Sequence, residues 1–274
     1  MNNTKSGLLH LAKFMKWDLK MKTTTKILSL SLLTLAMSGC VINVKAQRAD
    51  VALQEDLAVA ASGLTSFDID AGAGSLTILG VDSISQIEVS ADIKTTEDKD
   101  YVLYLKKSGS KARLVAKHGS TSGYWRGDSP QINLTVKMPS NLLLDIEDGS
   151  GDIKVSNINN DVKVDDGSGA ASFENIAGDL DIEDGSGNLF IKEVKGDLNL
   201  DDGSGELTVS DITGNVRVED GSGELTIVNV SGKVTIDDGS GDINVNKAGA
   251  LEIIDSGSGG LSISKVKGKV DIDS

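Results

Sequence analysis

From residue 144 onward, apolar and polar residues alternate in short runs, and glycines punctuate the runs at fixed intervals. The nonapeptides GSGELTVSD and ITGNVRVED show the rule: a glycine at the third place, then apolar residues at the fifth and seventh. Period-two alternation predicts short strands with one buried face, and the glycines predict corners between them. Two nonapeptides make one unit, because the aspartate of Asp-Gly-Ser-Gly recurs without drift at Asp148, Asp166, Asp184, Asp202, Asp220 and Asp238. Placing the units one above another aligns the apolar residues in columns. One column runs Ile153, Ala171, Leu189, Leu207, Leu225, Ile243, Leu261 and the next Val155, Phe173, Ile191, Val209, Ile227, Val245, Ile263. A third runs Ile146, Val164, Ile182, Leu200, Val218, Ile236, Ile254, Ile272, and a fourth, from Ile158 to Val266, fills the corner. The expected fold is all-β: a parallel β-helix or solenoid with 18-residue coils, each coil pairing with the next at about 4.8 Å.

Two irregularities test that register. The second corner carries Gly178, Gly196, Gly214, Gly232 and Gly268, but Asn160 in the first coil and Ala250 in the seventh. Asparagine tolerates the left-handed conformation that such glycines are expected to supply. In KAGALEIIDS the glycine comes one place early, at Gly249, and one extra residue precedes Asp255, which predicts a compensated slip with a β-bulge near Ile253 and Ile254.

Upstream the pattern blurs. The segments FDIDAGAGSLTILG, QIEVSADIK, YVLYLKK, KARLVAK and INLTVKMP alternate as strands, and Gly119 to Pro130 is a loop by composition. The expected organisation is a signal region over 1–39, a lipid-anchored tether and cap over 40–66, irregular N-terminal solenoid coils over 67–143, and regular repeats over 144–274.

The order of these elements, an early FDIDAGAGSLTI segment, a strand ending in VKMPSN and then GSGDI repeats, resembles the bacterial "putative adhesin" family, long catalogued as a domain of unknown function. The resemblance covers about residues 65–274. It implies a right-handed solenoid and a cell-envelope location, and it supplies no catalytic residue.

Composition agrees with thin β layers. Hydrophobic residues make up 39% of the 274-residue chain but aromatics only 3%, so the core must be built from Val, Ile and Leu. The formal net charge of -14 argues against nucleic acid, because a phosphate binder needs a basic face. The charge is concentrated: from Asp145 onward there are 28 acidic and 10 basic residues, so the repeats form an acidic rod.

The only cysteine, Cys40, follows MKTTTKILSLSLLTLAMSG, in which Lys22 and Lys26 precede an apolar run, Ile27 to Ala36, too short to span a bilayer comfortably. This segment resembles a bacterial lipoprotein signal, which implies lipidation at Cys40 and a membrane partner reached through the acyl chains. Val41 after the cysteine implies, by the same resemblance, the outer membrane. Residues 1–20 sit upstream of a complete signal, so Met21 is the expected start.

Candidate chemistry is sparse. Calcium β-rolls place an aspartate before the second buried aliphatic, but here that place holds Lys154, Ser172, Phe190, Thr208, Thr226, Asn244 and Ser262. What remains is the acidic corner: Asp148, Asp166, Asp184, Asp202, Asp220 and Asp238 in one column, with Glu147, Asp165, Glu183, Asp201, Glu219 and Asp237 beside it. Two charges about 4.8 Å apart in water repel by only about 0.9 kcal/mol, which a solvated turn can carry. The six aspartates are therefore expected to pin Asx-type turns, with weak calcium binding as the alternative and no other cofactor. Acids that repeat identically do not make two differently tuned carboxyls, so no enzyme activity is expected. The tripeptide Arg126-Gly127-Asp128 lies in a loop and carries little weight alone. Two readings remain: a surface-binding module for an unknown glycan or protein, or a structural or envelope-stress spacer and sensor.

Overall fold

A computed structural model describes residues 47–119 and 125–273; the signal region, Cys40 and Met21 lie outside these residues. The described chain is all-β. Its first seven strands are β1 (Val51–Ala60), β2 (Ser66–Ala71), β3 (Leu76–Val81), β4 (Gln86–Thr95), β5 (Tyr101–Ser108), β6 (Lys111–His118) and β7 (Gln131–Pro139). The repeats follow in pairs: β8 (Leu143–Asp148) with β9 (Ile153–Ile158), β10 (Val162–Asp166) with β11 (Ala171–Ile176), and β12 (Leu180–Asp184) with β13 (Leu189–Val194). Next come β14 (Leu198–Asp202) with β15 (Leu207–Ile212), β16 (Val216–Asp220) with β17 (Leu225–Val230), and β18 (Lys233–Asp238) with β19 (Ile243–Asn246). The last pair is β20 (Ala250–Asp255) with β21 (Leu261–Ser264), and β22 (Val270–Ile272) follows.

Successive coils pair in parallel and in register, with Val164 opposite Ile182 and Phe173 opposite Ile191, each the same place one repeat later. Even-numbered repeat strands form one 11-stranded sheet and odd-numbered ones another, so the solenoid has two faces joined at two corners per coil. The inward columns are buried along the rod: Ile153, Val164, Phe173, Ile191, Val209 and Ile227 are at most 1% exposed. A coil offers few inward apolar residues and cannot make a core alone, so burial comes from its neighbours above and below. Accordingly Leu261, Val270 and Ile272 of the last coil, with no further coil described over them, are 40–43% exposed.

The slip in the seventh coil is a bulge. Ile236 pairs with Ile253 and Asp237 with Asp255, which leaves Ile254 as the extra residue. The third column needs correcting accordingly: Ile253 is fully buried there, while Ile254 is 41% exposed.

The N-terminal strands extend both sheets by a different route. The β2–β3 coil pairs with β8 and β9 on one side and with β6 and β7 on the other, so the β6–β7 coil lies outside a coil that precedes it in sequence. Beyond it, β4 pairs antiparallel with β7, β1 with β4, and β5 with β6. The strand Val51–Ala60 thus falls within the segment expected to be tether and cap. Tyr101 of β5 donates its hydroxyl hydrogen bond to Glu55 of β1 at 2.5 Å, tying the two outermost strands together.

The corners also differ from expectation. Gly178, Gly196, Gly214 and Gly232 do not carry the left-handed turn; the residues that do are Asn157, Asn175, Glu193, Asp211, Asn229, Lys247 and Lys265, at φ 58–70°. The corner glycines serve space instead, since a Cβ at Gly196 would stand 2.3 Å from the carbonyl oxygen of Gly178. Side chains stitch the same corner from coil to coil. Asp161 accepts the Asp179 N–H at 2.9 Å, Asp179 that of Asp197 at 2.8 Å, and Asp197 that of Asn215 at 2.7 Å.

Candidate functional site

Two features stand out from the regular repeat, one inside the rod and one on its surface. The interior feature is the aspartate column. Strand alternation decides its direction: in β12 Ile182 points in, Glu183 out and Asp184 in again. The six aspartates are therefore only 1–6% exposed, whereas Glu147, Asp165, Glu183, Asp201 and Glu219 lie exposed on the other face of the sheet. The solvated corner expected from the sequence is corrected to a buried one. The Asx turn is present, with Ser168, Ser186 and Ser222 donating their N–H groups to Asp166, Asp184 and Asp220 at 3.2, 3.1 and 3.0 Å. The other carboxylate oxygen of each of these three aspartates is buried with no hydrogen-bond donor.

Burial changes the electrostatics. At an effective dielectric near 20, neighbouring charges about 4.8 Å apart repel by roughly 3.5 kcal/mol, so a fully ionised column is untenable. Burial, with help from the neighbouring carboxylates, pushes Asp148 and Asp202 up to about 7 and Asp166 and Asp238 up to about 6. Asp184 and Asp220 are raised by burial as well, and their contacts with Asp202 and the serine N–H groups oppose the rise. Among the described residues no three carboxylate or imidazole groups converge to hold a metal ion.

The surface feature is Phe190. It occupies the outward middle place of β13, between Ser172 one coil before and Thr208 one coil after. Neither neighbour is large enough to cover the ring, which stays 43% exposed. Beside it Ala170 and Ala171 leave a shallow depression of about 290 Å³, rimmed by Asp152, Lys154, Asn188 and Glu206. The only other aromatic residue after Asp145, Phe173, is fully buried. Sequence reasoning passed over Phe190 because it stands in a column of Lys, Ser and Thr. The available signal was its size, a lone aromatic at an outward place.

The remaining candidates stay apart. Asp128 of Arg126-Gly127-Asp128 is held by the Lys94 ammonium at 2.7 Å, and the Arg126 N–H donates to the Gln47 carbonyl at 3.0 Å. The Lys94 pairing ties the tripeptide to β4.

The structural comparisons found distant likenesses. A putative adhesin from Bacteroides fragilis is 12% identical, with 82% of this chain and 99% of that chain covered and a TM-score of 0.48. A putative cell adhesion protein from Clostridium sporogenes is 13% identical, over 81% of this chain and all of that one, with a TM-score of 0.40. A putative adhesin from Parabacteroides distasonis is 11% identical, over 84% and 100%, with a TM-score of 0.42. No curated protein matches the chain. The family profile described as Toastrack DUF4097 matches residues 83–274, a span that takes in the antiparallel β4 and β5 and every repeat. The chain belongs to the Toastrack DUF4097 family.

Proposed function

We propose that the protein is a non-enzymatic binding module of the bacterial cell envelope, anchored to the outer membrane through lipidated Cys40, that presents a rigid solenoid face to a surface glycan or protein. The observation that carries this reading is Phe190, an exposed ring beside a polar-rimmed depression, flanked by Ser172 and Thr208 in the coils on either side. The solenoid backbone pre-organises that face, so little conformational entropy is lost on binding. Covering the exposed part of the ring, about 80 Å² of a side chain of some 200 Å², is worth about 2 kcal/mol at about 25 cal/mol per Å².

The test is a survey of the lipid-free chain against envelope glycans and matrix proteins, with and without calcium. A ligand is expected whose affinity falls about thirtyfold in Phe190→Ala, with melting unchanged. A ligand that binds wild type and variant equally would remove the site from this face. The second reading, a spacer or stress-sensing rod, is favoured by the exposed column Glu147, Asp165, Glu183, Asp201 and Glu219, which keeps one face of the repeats strongly polar and predominantly acidic. That reading expects no ligand in the survey.

A further inference from the structure

A column of inward carboxylates must be neutralised by something, and the groups around it narrow the choice. Along the sheet Asp166, Asp184, Asp202 and Asp220 each face the column's aspartates in the coils before and after, and Asp148 and Asp238 face one each; the other charges acting on the column are also carboxylates: Asp165 on Asp166, and Asp237 and Asp255 on Asp238. The cations of this sheet are turned outward, where Lys163 meets Glu183 at 3.9 Å, Arg217 meets Glu219 at 2.5 Å and Lys233 meets Glu252 at 2.7 Å. Across the corner, the first inward places of the opposite sheet hold Ile153, Ala171, Leu189, Leu207, Leu225 and Ile243, all apolar. At the N-terminal end β2 continues the register with Ala71 and β6 with Ala116. Among the described residues no side chain supplies the missing positive charge.

The donors are equally short. In three of the Asx turns a serine N–H satisfies one oxygen, and the second oxygen of Asp166, Asp184 and Asp220 is buried without a donor. Asp148, Asp202 and Asp238 each have both oxygens buried and without a hydrogen-bond partner. A proton is the one donor small enough to enter a close-packed corner, and a protonated carboxyl can donate to the carboxylate of the next coil. We propose that the six buried aspartates form a proton-sharing column, which makes the repeat region a pH-responsive rod that tightens as its surroundings acidify.

The direction follows from linkage. The folded column releases its protons at higher pH than the unfolded chain does, so its stabilisation is complete below the unfolded pKa near 4 and is lost as pH rises through about 6 to 7. Between those limits the unfolding constant changes about tenfold per pH unit for each proton that the column keeps and the unfolded chain has released. An envelope protein meets such pH changes directly, with no ligand required.

The experiment uses the full chain and two readouts. Urea unfolding is followed from pH 5 to 7.5, and infrared spectroscopy records the protonated-carboxyl stretch of the folded protein at pH 6. Wild type is expected to show the carboxyl band and at least a tenfold rise in the unfolding constant per pH unit between pH 5 and 6, levelling off above about pH 7. The triple variant Asp184→Asn, Asp202→Asn, Asp220→Asn keeps the Asx acceptors and supplies amide donors, so both the band and the slope should shrink. A wild type with no carboxyl band at pH 6, a flat or opposite slope, or an equal slope in the variant would overturn the proposal. So would stabilisation by millimolar calcium at pH 7.5 with loss of the carboxyl band at pH 6, since the column would then hold cations. If the variant does not fold, the wild-type band and slope still decide.

Discussion

Substituting Gly223 by alanine measures how the coils are held together. Gly223 is the second glycine of its corner, at φ +155°, and a Cβ there would stand 1.6 Å from the carbonyl oxygen of Gly205 in the coil below. Ordinary contact begins at 3.4 Å, so the two backbones must part by about 1.8 Å locally. Three hydrogen bonds join the coils at this corner: Gly205 N–H to Ser222 at 3.0 Å, Gly221 N–H to Asp202 at 2.8 Å and Leu207 N–H to Glu224 at 2.9 Å. Losing them costs about 3 kcal/mol at about 1 kcal/mol each, and the backbone strain of a side chain at this φ adds about 1–3 kcal/mol. The expected loss is about 4–6 kcal/mol, read from urea unfolding by circular dichroism. Gly63→Ala is the control, because Gly63 also has positive φ, +76°, but nothing within 4 Å of the added carbon. It should cost only about 1 kcal/mol, the left-handed penalty less the entropy removed from the unfolded chain. Because each coil leans only on its neighbours, hydrogen exchange in Gly223→Ala should accelerate first in the coils that follow. A Gly223→Ala variant no less stable than Gly63→Ala would refute the reasoning, since stacking would then not be what excludes the side chain.

Two further outcomes are expected from the corners. Glu193 is the one glutamate in the left-handed column, and Glu193→Asn should raise stability by about 1 kcal/mol in thermal melts. The new amide can join the ladder in which Asn175 donates to Asn157 at 2.7 Å, while the lost ion pair to Lys192 is exposed and worth little. At the bulge, Ile253→Ala should cost about 2–5 kcal/mol and Ile254→Ala less than about 1 kcal/mol, because only the first side chain leaves a cavity. Equal costs would mean that the bulge lies elsewhere.

How much of the rod the sequence reveals depends on whether a feature repeats. Columns such as Val155, Phe173, Ile191 and Val209 appear once the repeats are aligned, because these inward places in the middle of the strands are filled by apolar side chains in every coil. The same alignment exposes the slip at KAGALEIIDS. The left-handed column was also within reach, since Asn157, Asn175, Asp211 and Asn229 are residue types that tolerate positive φ. The recurring glycines of the same corner masked it, although their real service is to leave room for the coil below.

What the amino-acid sequence determined by itself is the repeat: its period, its two strands per coil, the inward apolar columns and the Asx turns that form at Asp166, Asp184 and Asp220. Those are properties of one coil, set by its local chemistry. The tertiary structure alone decided the rest. Strand alternation points Asp148, Asp166, Asp184, Asp202, Asp220 and Asp238 inward, but only the stacked coils and the path of the corner close water off from them. The N-terminal order, with the β6–β7 coil stacked outside β2–β3, depends on pairings between residues far apart in the chain. Phe190 is exposed for a similar reason: its covering is set by Ser172 and Thr208, a full coil away along the chain on either side yet its immediate neighbours in space.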